Sequence, residues 1–405
     1  MPNTTITPTW MGRQILTIAG NTGQFINAIT KKLSDDFQVS GTKVGAEVRV
    51  RLPYRFVPAK GQAIQPQAIV DQTVPITITD QANIPWSWSS WQATLEIQDA
   101  MERFVTPAAQ QMGATMTSDG LSRVYQDVFS IEGTPGTIPS ANSTYLLGAA
   151  RLTNLGTPKG PRRAVISPLM RATIANANLS LFNPVKDIAE LWKEAMFAGA
   201  ALSWDEWYEE AFLFAHTVGP LGGSPVVNGA NQTGSSLVTN GWTASAANRL
   251  KKGDHFTIAN VYAVNPQSRT STTQLQQFVV TADTASDGSG NATIPIYPPI
   301  VGPATPQYQT VNALPANSAA LTVVGSANTI TVMGLGFHPE AFVMASADLV
   351  MPNNGIAKRV RMRGTGLAMR YWEDSDIMTD QHPSRVDAIY GFKTQRPEFA
   401  TIFAA

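Results

Sequence analysis

The character of the chain changes abruptly at Gly219. From there to residue 335 it is dense in Gly, Pro, Asn, Ser and Thr and shows almost no helical periodicity. Its apolar residues collect instead in β-rich runs at 255–264, 276–281, 292–296 and 321–324. Mixed character resumes after Phe337, with a strand-like stretch at 357–363 and a closing strand at 388–394. A β-rich block with mixed sequence on both sides is an insertion that interrupts another domain. Single cores stop growing at roughly 200–300 residues, so 405 residues imply two or three packed units of α+β class.

Upstream of the insertion the pattern is directional. Residues 1–45 are polar, with scattered apolar anchors such as Ile15, Phe25 and Ile29, and read as an arm with a short helix. From residue 46, Val48, Val50 and Leu52 alternate with Glu47, Arg49 and Arg51, the period-two signature of a strand. A second extended segment follows at 73–79, and the Pro/Gly/Gln stretch 58–72 between them is too polar to pack alone, which describes a long hairpin. Beyond Trp86, Trp88 and Trp91, apolar residues from Ile97 to Val128 recur at helical spacing over 96–131. If continuous, that helix would be about 50 Å long, with Pro107, Gly113 and Gly120 as bending points. A short strand at 163–166, a helix opened by Ser167–Pro168 and an amphipathic helix at 187–197 precede the insertion. No repeat of fixed period is present.

Composition narrows the function. Hydrophobic residues make up 43% and charged ones only 14%, enough to build a core and few enough to favour burying surface against neighbours. Lys+Arg and Asp+Glu balance at 29 each, so no global positive field holds nucleic acid, and DNA contact is expected to be local or incidental. With no cysteine there are no disulfides, thiolate nucleophiles or zinc-thiolate sites. No apolar run reaches the roughly 18 residues that would span a bilayer, so a soluble chain, intracellular when made and without a membrane partner, is expected.

Catalytic chemistry has no carrier. His216, His255, His338 and His382 stand in no metal-binding spacing, and Ser167 and Ser224 lack a nucleophile-elbow context. The acidic stretch Glu373, Asp374, Asp376, Asp380 matches no cation loop and reads as a solvated turn; 283–291 lacks the closing bidentate Glu of a calcium loop and reads as a hairpin connection. No enzyme, cofactor or metal is expected. The tryptophans suit packing at the hairpin base or against a neighbour, with a sugar-stacking platform as the rival use. Arg359, Arg361 and Arg363 fall on one strand face, suited to an acidic partner surface ahead of DNA.

Local wording carries a resemblance. The stretches AHTVG (215–219), LKKGDHFTIANVYAVNPQSRTSTTQLQQFVVTAD (250–283), GFHPEAF (336–342), LVMPNN (349–354) and YGFKTQRPEFA (390–400) resemble the major capsid (coat) proteins of short-tailed lambdoid bacteriophages. The order of parts resembles the tailed-phage capsid fold. The resemblance implies an N-terminal arm at 1–45, an extended loop and start of the peripheral domain at 46–95, and a spine helix at 96–133. It further implies an axial domain at 134–222, a small antiparallel β-barrel insertion at 223–335, the axial domain's second part with the return to the peripheral domain at 336–395, and a tail at 396–405. Relatives carry a long charged loop in the insertion; here 226–249 has a single charge, Arg249.

The function implied is a structural subunit whose pentamers and hexamers form an icosahedral head around double-stranded DNA, through a scaffolded precursor shell that expands. The partners implied are other copies of the chain, a scaffolding protein, a portal protein at one vertex, a decoration protein and packaged DNA by non-specific contact, with the chain in the virion after assembly in the host cytoplasm. Candidate inter-subunit contacts are Arg49, Arg51, Tyr54, Lys60, Trp86, Trp88, Trp91, Arg359, Arg361 and Arg363. Lys60, at the hairpin tip, is where some shells cross-link. The alternative of a different class is a carbohydrate-binding β-module of a phage tail or adhesin.

Overall fold

The computed structural model describes residues 15, 17–19, 22–30, 47–58, 72–89, 106–177, 202–245, 247–361 and 367–405. The chain divides into two compact units. One holds residues 1–50, 73–123 and 342–395, the other 51–72, 124–341 and 396–405.

The first unit is organised around one long strand, β20 (Gln381–Thr394), whose second half is buried almost throughout. On one edge it pairs antiparallel with β3 (Asp80–Ser89), in register from Gln381 opposite Ser89 to Tyr390 opposite Asp80. On the other, β19 (Ala368–Glu373) takes residues 384–388 and β17 (Phe342–Ala347) takes 389–394, end to end. β18 (Ile356–Arg361) lies outside β19. A separate two-stranded ribbon joins β1 (Glu47–Arg51) to β2 (Thr73–Thr77).

Helices pack within this unit as well. The short α1 (Gln24–Ala28) buries Phe25 and Ile26, and Phe25 packs against Phe342 and Phe392 at ring distances of 6.1 and 6.5 Å. The long α2 (Thr106–Val124) buries Ala109, Met112, Met116 and Leu121, an i, i+3, i+7 stripe. The described part runs about 28 Å and ends at Val124, before the end of the spine expected over 96–133; residues 96–105 lie outside the described ones. Gly113 and Gly120 are close-approach points: a Cβ would stand 2.4 Å from the Ala19 carbonyl oxygen and 2.9 Å from the Phe392 ring.

The second unit contains a mixed sheet and a barrel. After α2 the chain makes one 3₁₀ turn at Tyr125–Asp127 and becomes the edge strand β4 (Ile131–Gly133). The helical spacing through Val128 is therefore overridden by sheet pairing, a tertiary effect that local periodicity does not contain. The mixed sheet runs in the order β4, β21 (Ala400–Ala404), β16 (Ile330–Phe337), β5 (Arg163–Ile166), β6 (Glu206–Glu209), with β7 (Ala215–Thr217) pairing the first half of β16. Helices α3 (Asn142–Asn154) and α4 (Pro168–Ala177) cover it through Tyr145, Leu152, Met170 and Ile174, which enclose Trp204 and Phe403.

The barrel has six antiparallel strands in the order β15 (Leu321–Val323), β11 (His255–Val264), β12 (Ser271–Val280), β14 (Ala292–Ile300), β9 (Gly234–Trp242), β8 (Gly223–Val227). A bridge from Val226 to Ala320 joins the two ends and closes it. Its interior holds Leu237, Trp242, Phe256, Phe278, Ile294 and Val311. A small pair, β10 (Asn248–Leu250) with β13 (Thr284–Ala285), lies beside it.

Three expectations are corrected. Residues 396–405 are not a tail, since all five residues of β21 are buried between β4 and β16. β16 begins at Ile330, so the mixed sheet resumes before residue 336. Residues 342–395 cluster with α2 and the hairpin base, while 134–222 belong to the other unit. The helix expected at 187–197 falls outside the described residues. Among the described residues no helix is long and apolar enough to cross a membrane.

Candidate assembly surfaces

The base of the hairpin is anchored and its flanks are exposed. Ile76 and Ile78 turn inward onto Val343, Ala345 and Ile389. Arg49 and Arg51 are exposed on β1, and no third strand joins the β1–β2 ribbon among the described residues. Farther along, Tyr54 and Phe56 present large apolar surface, Phe56 with 61% of its area exposed. Arg55 between them pairs with Glu398 at 3.4 Å, its carbonyl accepts from Gln307 Nε2 at 2.7 Å, and the Phe56 carbonyl accepts from Arg269 Nη2 at 3.3 Å. Lys60 and Trp91 lie outside the described residues.

Trp86 and Trp88 share the half-buried face of β3. Trp86 packs against Tyr371 at 6.1 Å, with its Nε1 buried and without an acceptor. An indole turned inward in this way is a packing residue and offers no open sugar platform.

The opposite face of that sheet carries a charged row. Register places Arg359 beside Arg370 and Arg370 beside Asp387. The fully buried Asp387 carboxylate accepts from Arg370 Nε at 3.1 Å on one oxygen and from Arg385 Nε at 2.8 Å on the other. Both guanidinium groups stand 5.6–6.0 Å from the Trp372 ring, within cation–π range. Arg359 is engaged within its own chain, by Asp348 at 3.1 Å and the Leu349 carbonyl at 3.1 Å. The Arg361 side chain and Arg363 lie outside the described residues.

Buried polar groups join the barrel to the mixed sheet. The Gln277 side chain on β12 acts as a strand fragment: its Oε1 accepts from Ile131 N and its Nε2 donates to Ile131 O, both at 2.8 Å. It thereby satisfies the outer edge of β4. Asp254 accepts from His216 Nε2 at 2.7 Å, Lys251 N at 2.8 Å and Gly219 N at 3.1 Å. His216 Nδ1 lies in hydrogen-bond contact with the Tyr125 hydroxyl at 3.2 Å, and burial pushes that phenol up to about 12. His255 Nε2 donates to the Val128 carbonyl at 2.8 Å, and complete burial lowers its pKa to about 4, so it is neutral at pH 7. These histidines hold structure, as their spacing implies; Gln277 and Asp387 gave no signal in the sequence, because their partners are set by register across distant strands.

The remaining candidates are local. Asp287 caps its own loop, accepting from Ser289 N and Asn291 N at 2.8 Å each. Arg249 donates to Ser286 Oγ and to the Leu221 carbonyl. Among the described residues no group of three or more His, Cys, Asp and Glu side chains could hold a metal ion.

A family profile described as P22 coat protein, gene protein 5, matches residues 65–403, most of the chain. The chain belongs to the P22 coat protein family. This coat protein is a structural major capsid protein of an icosahedral bacteriophage head, not an enzyme, and it assembles with copies of itself in the virion shell. That assignment sets aside the carbohydrate-binding alternative. Among solved structures, the capsid of Ralstonia phage GP4 aligns over 95% of this chain and 88% of its own, at 8% identity and TM-score 0.47. A structure from Mycobacterium phage Che8 aligns over 94% and 90%, at 11% identity and TM-score 0.44. The CUS-3 coat protein I-domain aligns over 25% of this chain and 94% of its own, at 28% identity and TM-score 0.19. No curated protein sequence matches the coat protein.

Proposed function

We propose that this coat protein builds its head from pentamers and hexamers, first as a scaffolded precursor shell that expands as double-stranded DNA enters, and that it does so in the host cytoplasm. The observation that carries the reading is the β1–β2 ribbon, whose outer edges take no third strand among the described residues and which leads into exposed Tyr54 and Phe56. Unpaired edges and exposed aromatics gain most of their order by lying across a neighbour. The extended loop 46–95 would then clasp the adjacent subunit, with Arg49, Arg51, Tyr54, Lys60, Trp86, Trp88 and Trp91 as contact candidates. The arginine row ending in Arg359, Arg361 and Arg363 serves the same role toward an acidic surface.

A scaffolding protein sets curvature during assembly, a portal protein occupies one vertex, and a decoration protein binds the finished shell. The balanced charge, 29 of each sign, fits DNA held inside by confinement and non-specific contact. Negative-stain microscopy and sedimentation of the purified chain, alone and co-expressed with the scaffolding partner, test the reading. Shells tens of nanometres across are expected, and deleting 58–72 leaves a folded monomer that forms none. Normal shells from the deletion variant refute the clasp.

A further inference from the structure

The second unit carries a cleft of about 360 Å³ whose lining includes Arg55, Arg269 and Arg396 against a single carboxylate, Glu398, with Tyr54 and Phe56 beside them. Arg55 uses Glu398, and Arg396 reaches Glu340 only at 3.6 Å while lying over the Phe399 ring at 4.4 Å. Arg269 spends two donors on the carbonyls of Gln307 and Phe56; its Nε is buried without an acceptor, and among the described residues no carboxylate pairs with it. A half-buried guanidinium held by neutral carbonyls is stabilised by any anion that reaches it.

The first unit carries the complementary shape. Between β19 and β20, residues 374–380 form a turn with three aspartates and no basic residue. At its tip Ile377 and Met378 expose 95% and 87% of their area, the two most exposed large apolar side chains among the described residues. The turn is stiffly held: Asp376 accepts from Met378 N at 2.9 Å and from Thr379 Oγ1 at 2.8 Å, Asp374 accepts from Asn354 Nδ2 at 3.0 Å, and Asp376 N donates to Gln381 O at 2.9 Å. Among the described residues no cation pairs with Asp374 or Asp376. The turn is thus pre-organised, with the charge of Asp374 and Asp376 and the apolar tip turned outward.

We propose that the acidic turn 374–380 of one subunit docks in the arginine cleft of a second copy of this chain, Ile377 and Met378 against Tyr54 and Phe56, Asp374 and Asp376 toward Arg269 and Arg396. Two different surfaces meet, so the contact is heterologous and propagates from subunit to subunit, as a ring or a shell lattice requires. The inference rests on the shell-building reading.

Cysteine cross-linking tests it without background, because the chain contains no cysteine. Met378→Cys and Gln267→Cys, the latter an exposed residue of the cleft, are made in separate chains, mixed as unassembled subunits, assembled and oxidised. A disulfide-linked dimer is expected in shells from the mixture and not from either variant alone. Shells from the mixture without the link overturn the contact, and a linked dimer in Met378→Cys alone overturns it by showing that the turn meets its own copy. In parallel, Ile377→Ser/Met378→Ser, which removes no core contact, is expected to raise the concentration needed for assembly roughly tenfold; an unchanged threshold also overturns the proposal. Failure of the unaltered chain to form shells would instead refute the shell-building reading itself.

Discussion

His255→Gln should make the barrel's junction with the mixed sheet indifferent to mild acid. His255 is fully buried, donates to the Val128 carbonyl and has a pKa lowered to about 4, whereas an unfolded histidine titrates near 6.5. Because the folded value lies below the unfolded one, the opened chain takes up the proton first. The stability His255 contributes is complete above about pH 6.5 and is lost as the pH falls toward 4. At pH 5 the loss is RT ln[(1 + 10^1.5)/(1 + 10^−1)], about 2 kcal/mol, approaching about 3 kcal/mol below pH 4. Hydrogen exchange of peptides covering β11, corrected for intrinsic rates, reads this directly as opening free energy. Protection in the unaltered protein should fall about 30-fold between pH 7.5 and pH 5. The Gln variant, although less stable at both, should lose less than about threefold. An equal drop in the two proteins would show that His255 is not the acid-sensitive group.

Other substitutions probe the remaining buried polar groups. Gln277→Leu strands the N–H and C=O of Ile131 and should cost about 2–4 kcal/mol, seen as accelerated exchange at β4 while the barrel strands stay protected. Asp387→Ala leaves Arg370 and Arg385 without their shared carboxylate and should cost about 3–5 kcal/mol, lowering the thermal midpoint by at least about 6 °C. Trp86→Phe removes an N–H that has no acceptor and keeps the ring against Tyr371, so it should cost less than about 2 kcal/mol in a urea titration, below the Trp→Ala range.

How far the sequence reveals this fold depends on whether a segment carries its own periodicity. β5 and β11 are legible because they are short β-branched runs bounded by turn residues, and the observed bounds coincide with the expected ones. β21 escapes because ATIFA is buried on both faces and shows no alternation, the pattern of an internal strand that resembles any small apolar run. The first half of β20 escapes for the opposite reason: Gln381 to Arg385 is polar and becomes strand only by pairing with β3 and β19. Candidate contacts divide the same way. Exposed Tyr54 and the half-buried tryptophans follow from local pattern, whereas the Arg370–Asp387–Arg385 row and the Gln277 clamp require a register that no window of sequence contains.

The strand by which the chain enters the barrel and the one by which it leaves are neighbours: β7 and the start of β16 pair with Thr217 opposite Ile330. The backbone of everything between them enters and leaves at two adjacent positions. A short turn joining Thr217 to Ile330 would keep the β7–β16 pair, so by its chain ends the barrel is a cassette, with the Gln277 clamp and the His255 bond as the braces its removal would forfeit. A head lineage can lengthen, exchange or discard such a cassette while its lattice-forming parts stay in place, and a foreign domain with equally close termini, displayed at this site, would be carried in every copy of the subunit.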